Sequence, residues 1–296
     1  MLRDDEFLDF VYVGAPRAGS TWLAAALNEH PDIWIPNHKE IHFFNDRLVY
    51  PFEYKYPRGV AHLRSYFERA PENAILGELS PFYYYDPNAA YRIYKHFPNA
   101  RIIAFVRNPV DMIYSLYLLL RERERREATF ERELAKNPYL LDLGFFHRLL
   151  TPYFDWFPQD RIFVAVFEDF FKDESEGAKR LFRFLGVRAD FEPKVVGLRV
   201  NAATEKPPGL KSHIRGRALR LLNTASFTIV KRALHTVRDN RLQGHVRKAS
   251  EKIKEGSLAR RGIATETRKE LLARFEPDIA RLESLLGCSL AAWREP

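Results

Sequence analysis

The sequence predicts an α/β protein, a central parallel sheet flanked by helices, with a helical C-terminal region. Three observations carry that reading. Strand-like runs alternate with helix-like patterns along the first two-thirds of the chain, the order expected of right-handed βαβ crossovers. The run Arg101–Val106, RIIAFV, is continuously apolar after its first residue, as a strand covered on both faces must be. Beyond Lys206 no strand pattern recurs. The 1–296 chain therefore reads as a single domain: a core over about 8–200, a basic helical region over about 206–262, and a closing helix over about 265–287.

The elements follow in order. Phe10–Val13 is the first strand, and Ser20–His30 a helix stopped by Pro31. A short strand follows that helix, and Gly59–Ala70 carries apolar residues at helical spacing. Ala74–Gly77 is the next strand. Asp86 with Pro87 is a helix-start signal for a helix reaching about His96. After Arg101–Val106, Asn108 and Pro109 repeat that signal for a helix through Leu120. Arg161–Phe167 is the last strand, followed by a helix at Glu174–Leu185 closed by Gly186. A helix near Glu266–Leu286 ends the chain. In such sheets ligands bind at the carboxyl ends of the strands, so the loops after Val13 and Val106 come first as candidate sites.

Composition narrows the class. The chain is 46% hydrophobic and 14% aromatic, with 23 Phe and 14 Tyr, which suits a packed enzyme core rather than a disordered chain. Its single cysteine, Cys288, excludes an intramolecular disulfide framework and is expected to be buried in a protein of a reducing compartment. The start, MLRDDEFLDF, is acidic and unlike a signal peptide, and the apolar stretch Met112–Leu120 is too short to span a bilayer. A cytoplasmic protein is the expectation. The net charge of +8 is local: Asn201–Gly262 holds fifteen Lys and Arg against four acids. That region is either a solvated helical surface or an attraction for an anionic ligand.

The stretch FVYVGAPRAGSTWLAAAL, residues 10–27, runs from strand through a small-residue loop into an apolar helix. Gly14 permits the tight turn, Gly19 close backbone approach, and the helix beginning near Ser20 aims free N–H groups at the loop. With the hydroxyls of Ser20 and Thr21 these make an anion site. The alternative is an ordinary strand-to-helix turn with Ser20 as N-cap. An ATP-binding loop of the G-x-x-x-x-G-K-[ST] type would place lysine after Gly19; here Ser20 stands there, and the cation is Arg17. VGAPRAGSTWL resembles the phosphosulfate-binding loop of sulfotransferases that use 3′-phosphoadenosine 5′-phosphosulfate (PAPS), whose members commonly carry lysine at the Arg17 position. The resemblance implies a P-loop-like sandwich and nucleotide contacts from Arg17, Ala18, Gly19, Ser20, Thr21 and Trp22.

A second match is FVRNPVDMIYS. Arg107 leaves a buried strand and Ser115 lies on the next helix, so both can reach one anion. In the family this arginine–serine pair binds the 3′-phosphate of PAPS or of its product PAP. The alternative pairs Arg107 with Asp111 and leaves Ser115 in solvent. RIFVAVFEDFFKD, RLFRFLGV and ETRKELLARFEPDIARLESLLG extend the likeness over most of the chain. The segment Arg260, Arg261, Gly262 is either a loop closing over the cofactor or plain surface.

PNHKEIHFFND places Glu40 and His42 two apart, on one face if the segment is extended. It resembles the segment of heparan-type carbohydrate sulfotransferases in which a glutamate at the Glu40 position is the catalytic base. His42 would then orient the base or touch the acceptor. The alternatives are a Glu40 pair with Lys39 or Arg17, and His42 packed beside Phe43 and Phe44. Two departures touch the acceptor side: Leu79, in GELSPFYY, stands where carbohydrate members often have lysine, and Asn45 replaces an acid. The aromatics of SPFYYYDP, Phe82 to Tyr85, either stack on a sugar or fill the core. The resemblance implies sulfuryl transfer from PAPS to a hydroxyl, with Arg17 and Glu40 as catalytic groups, no metal required, and neither nucleic acid nor a transmembrane segment as a partner. The competing readings are a P-loop kinase using ATP and Mg, and a non-catalytic polyanion-binding protein.

Overall fold

The structure is a computed structural model that describes residues 7–37, 40–46, 54–124, 128–198 and 262–295. The basic region expected to be helical, with Arg260 and Arg261, lies outside these residues. So does Lys39.

Five parallel strands form the sheet, in the order β2-β3-β1-β4-β5. They are β1 (Phe10–Gly14), β2 (Ile33–Trp34), β3 (Ile75–Leu79), β4 (Arg101–Val106) and β5 (Ile162–Val166). β1 is buried throughout and β4 everywhere after Arg101, the burial their apolar runs demand. Phe10 pairs with Gly77 on one side and Arg101 on the other, which puts β1 between β3 and β4. The chain leaves β1 toward β2, then crosses back to β4, so the order reverses beside β1. Its carboxyl end is the switch point where such sheets hold ligands.

Helices make the crossovers. α1 is Ser20–Glu29, α2 Val60–Ser65, α3 Ala89–His96 and α4 Pro109–Glu124. Three short helices, α5 (Phe130–Lys136), α6 (Tyr139–Asp142) and α7 (Phe146–Trp156), occupy a span with no long periodic pattern. α8 (Phe167–Phe170) and α9 (Glu174–Leu185) follow β5, and α10 (Thr265–Leu286) closes the chain.

Asn108 and Pro109 start α4 as their types require: Asn108 Oδ1 accepts from Val110 N (3.0 Å) and Asp111 N (3.2 Å). α9 ends at Gly186 in the left-handed region, as expected. Several boundaries need correction. α3 begins at Ala89, not Pro87, because Asp86 Oδ1 accepts from Asn88 N (2.9 Å) and forms a turn ahead of the helix. α2 ends at Ser65 rather than Ala70 and gives way to turns. β3 runs on to Leu79 because Leu79 still pairs with Tyr12 of β1. Cys288 is exposed, not buried: it follows the left-handed Gly287 that ends α10, past the buried stripe of that helix.

That stripe is Leu271, Phe275, Ile279 and Leu282, one face at helical spacing. On the same helix Asp278 accepts from His147 N (2.9 Å) and Arg148 N (3.1 Å), satisfying open donors at the start of α7. Burial pushes the Asp278 carboxyl up, against those two donors. Among the described residues no helix is long and apolar enough to cross a membrane.

Candidate functional site

The loop leaving β1 is held by its neighbours. Tyr12 OH donates to Ala15 O (2.8 Å), and Ala15 N donates to Phe105 O on β4 (2.7 Å). Gly19 has φ 101°, and a Cβ there would come within 2.7 Å of Phe171, so both backbone angle and space require glycine. Gly19 is also the N-cap of α1, and no side chain caps that end. Ser20 is therefore the first helical residue, not the cap. The opening N–H groups of a ten-residue helix face the loop, an arrangement that attracts anions. Arg17 sits among them with φ 60°, left-handed backbone that a non-glycine residue adopts only when its surroundings hold it.

The two candidate anchors meet. Arg17 Nε donates to Ser115 Oγ at 3.0 Å, across the mouths of β1 and β4. Arg107 donates through one terminal nitrogen to Arg17 O at 3.1 Å, and its guanidinium lies 4.7 Å from the ring centre of Phe167. Thus Arg17, Arg107 and Ser115 come together although 98 residues separate the first from the last. Arg107 Nε is buried and has no hydrogen-bond partner among the described residues. Burial pulls this guanidinium below its usual value, while Asp111 and Glu168 push it back. A buried cation with an unsatisfied donor, beside a helix N-terminus and a second arginine, fits a phosphate group.

Asp111 is not the partner of Arg107. It forms a buried ion pair with Arg268 of α10, at 2.8 Å. Asn108 fixes the strand mouth: its side-chain amide donates to Trp293 O (2.9 Å) and its N–H to Glu168 Oε1 (3.0 Å). Glu168 Oε2 accepts from Trp293 Nε1 at 3.0 Å. Glu168 and Trp293 thus brace the anion site from behind, and neither stood out in the sequence.

Glu40 and His42 do come together, but not as an extended pair. Both have left-handed backbone, φ 65° and 55°. Glu40 Oε2 lies 3.8 Å from His42 Nε2; the Glu40 side chain is 37% exposed and the His42 side chain 3%. The carboxylate is reachable from outside while the imidazole is not, which suits a base and its orienting partner. Asn45 Nδ2 donates to Phe82 O (3.2 Å), so its Oδ1 faces His42 Nδ1 at 3.0 Å. Facing an amide oxygen, Nδ1 acts as a donor, and Nε2 lies on the side of Glu40. His42 packs near Phe82 and Tyr83.

Other expected positions differ in kind. Ala18 is fully buried and can offer only backbone. Trp22 is buried, with its indole N–H donating to Glu174 Oε2 (3.0 Å) and its ring edge-on to Phe170 and Phe171. It shapes the loop from below. Ser20 and Thr21 are half-buried at the helix start. Of SPFYYYDP, Tyr83 and Tyr84 fill the core, while Phe82 and Tyr85 stay half-buried. Leu79 is buried and its carbonyl accepts from Glu40 N (2.9 Å).

The sequence pattern of the sulfotransferase family matches residues 10–192, well over half the chain and every candidate side chain above. The chain belongs to that family. It is 28% identical to human heparan sulfate glucosamine 3-O-sulfotransferase 6 over 191 residues, 62% of this chain and 53% of that protein. It is 33% identical to the membrane-associated sulfotransferase kil1 of Dictyostelium discoideum over 112 residues, 37% of this chain and 22% of that protein. The chain thus spans about half the length, or less, of these curated relatives. A sulfotransferase from Alicyclobacillus acidocaldarius shares the fold with a TM-score of 0.68 and 27% identity, covering 97% of this chain and 99% of the other. The fold that holds the parallel sheet and its helical C-terminal closure is thus shared with a solved sulfotransferase.

Proposed function

We propose that the protein transfers the sulfuryl group of PAPS to a hydroxyl, most naturally of a carbohydrate, with Glu40 as general base. One observation carries this: Arg17, Arg107 and Ser115 converge at the mouths of β1 and β4. Membership of the sulfotransferase family and relatives named for heparan sulfate glucosamine support the donor and the acceptor class. PAPS supplies an activated sulfuryl group whose bridging oxygen leaves with PAP. Arg107 and Ser115 would hold the 3′-phosphate. Arg17 and the N–H groups opening α1 would hold the 5′ end and stabilise the charge that develops there. Glu40 would take the acceptor's hydroxyl proton as its oxygen bonds to sulfur. His42 would hold the carboxylate in place.

The test is transfer of labelled sulfate from PAPS, with PAP titration alongside. Glu40→Gln should lower kcat by about 10²–10⁴-fold, the range of general base catalysis, with PAP affinity unchanged. Wild-type turnover in that variant, or tighter retention on ATP than on PAP supports, would reject the reading.

A further inference from the structure

We infer that Glu78 and Ser80 are positioning residues that lock the Glu40–His42 segment, so that the buried end of β3 presents the base. The inference rests on the role of Glu40 proposed above. Left-handed backbone is unfavourable for residues with a Cβ, and here two such residues lie within three positions. Something must hold them.

Three successive amides find three acceptors at the end of β3. Glu40 N donates to Leu79 O (2.9 Å), Ile41 N to Glu78 Oε1 (3.2 Å) and His42 N to Ser80 Oγ (2.9 Å). The first bond uses backbone and survives any side chain at Leu79. The other two exist only because Glu78 and Ser80 carry oxygen. These residues alternate around Leu79, so both face the same side. Ser80 Oγ in turn donates to Glu78 Oε1 at 2.5 Å, joining the two acceptors into one unit. On the far side of the segment, Lys55 Nζ donates to Ile41 O (2.7 Å). Glu78 and Ser80 are both fully buried, so no water stands ready to replace either acceptor. Removing the Glu78 carboxyl leaves the Ile41 amide and the Ser80 hydroxyl without acceptors at the point where the backbone most needs restraint. The carboxylate of Glu40 then samples positions away from the acceptor hydroxyl.

Three variants test this by kinetics, PAP titration and hydrogen exchange over residues 40–45: Glu78→Leu, Glu78→Gln and Ser80→Ala. Glu78→Leu should lower kcat at least about tenfold, with the KM for PAPS and the Kd for PAP within about twofold. Its Ile41 and His42 amides should exchange at least about tenfold faster. Glu78→Gln keeps the acceptor oxygen and should recover most of the lost turnover. Ser80→Ala should lower kcat less and release the His42 amide. A folded Glu78→Leu enzyme with unchanged kcat, or with both amides still protected, overturns the inference. Should Glu78→Leu not fold, an unchanged kcat in Ser80→Ala does the same. Glu40→Gln, run beside them, separates the two ideas: full turnover there rejects the base, while the Ile41 and His42 amides of Glu78→Leu still decide whether the lock exists.

Discussion

Glu78 is a carboxylic acid inside a sheet, and its titration should be visible in the stability of the whole protein. Burial raises its pKa from 4.5 to about 8; Ser80, Tyr83 and the Ile41 amide oppose the rise, and the nearby charge of Glu40 adds to it. The folded protein therefore holds this proton more tightly than the unfolded chain does. The associated stability is fully present below about pH 4.5 and is lost as pH climbs through about 8. At 1.36 kcal/mol per pH unit the complete loss is about 5 kcal/mol, of which about 3 kcal/mol has gone by neutrality. The perturbation is Glu78→Gln, which mimics the protonated acid and cannot titrate. Urea unfolding of wild type and variant at about pH 5, 7 and 9 measures the difference. With a slope near 3 kcal/mol/M, the wild-type midpoint should fall relative to the variant by about 1 M between the lowest and highest pH. The slope of that difference decides, not its sign at one pH, since glutamine brings an extra N–H₂ that needs partners of its own. Parallel pH curves for the two proteins would refute the claim that Glu78 is neutral when folded.

Two further outcomes follow from the site. Arg107→Ala should weaken PAP binding by roughly 1.5–3 kcal/mol, about ten- to hundredfold by calorimetry, because it removes a charge-assisted contact from a buried position. Asp111→Ala should destabilise the protein by about 3–5 kcal/mol in denaturant unfolding, since it leaves Arg268 charged and buried without its partner. Replacing both Asp111 and Arg268 by apolar residues should recover much of that loss.

The parallel sheet was legible because its strands say what they are. β4 has no polar residue after Arg101, and only a strand covered on both faces tolerates that. The loop proposed to hold the anion was legible for a similar reason: Gly14, Arg17 and Gly19 sit between a strand and an apolar helix, and Asn108–Pro109 marks the start of another. The Glu40–His42 segment was legible in its residue types but not in its shape. Two-residue spacing suggested an extended run, whereas Glu40 and His42 adopt left-handed backbone because hydrogen bonds to residues 78–80 impose it. No local pattern encodes a constraint supplied from 37 residues away. A signal for Glu78 did exist: an acid in the middle of AILGELSPF, a run otherwise fit for burial. Glu168 and Trp293 offered less, because their roles depend on the C-terminal turn meeting α8, which only tertiary structure arranges.

The two halves of the proposed site are built differently, and each carries a departure from the family pattern: Arg17 on the nucleotide side, Leu79 and Asn45 on the acceptor side. The side proposed to hold the nucleotide consists of strand mouths, a helix end and arginines, and its geometry follows from the sheet. Arg17 differs from a lysine there in geometry: its Nε donates to Ser115 while the same planar group carries further N–H donors, whereas a lysine ends in one nitrogen. The acceptor side hangs on side chains at the end of β3, and Leu79 lies within that set. Its side chain is buried in the core and only its carbonyl serves the base, so a lysine there would have to leave the interior to reach the site. A cation standing against the Glu40–His42 segment is Lys55, which donates to Ile41 O from the loop ahead of α2. Positive charge near the proposed base thus comes from a loop rather than from the sheet. Loops change more readily than a packed strand, so on the proposed reading this is the side on which acceptor choice would diverge while nucleotide binding stays fixed.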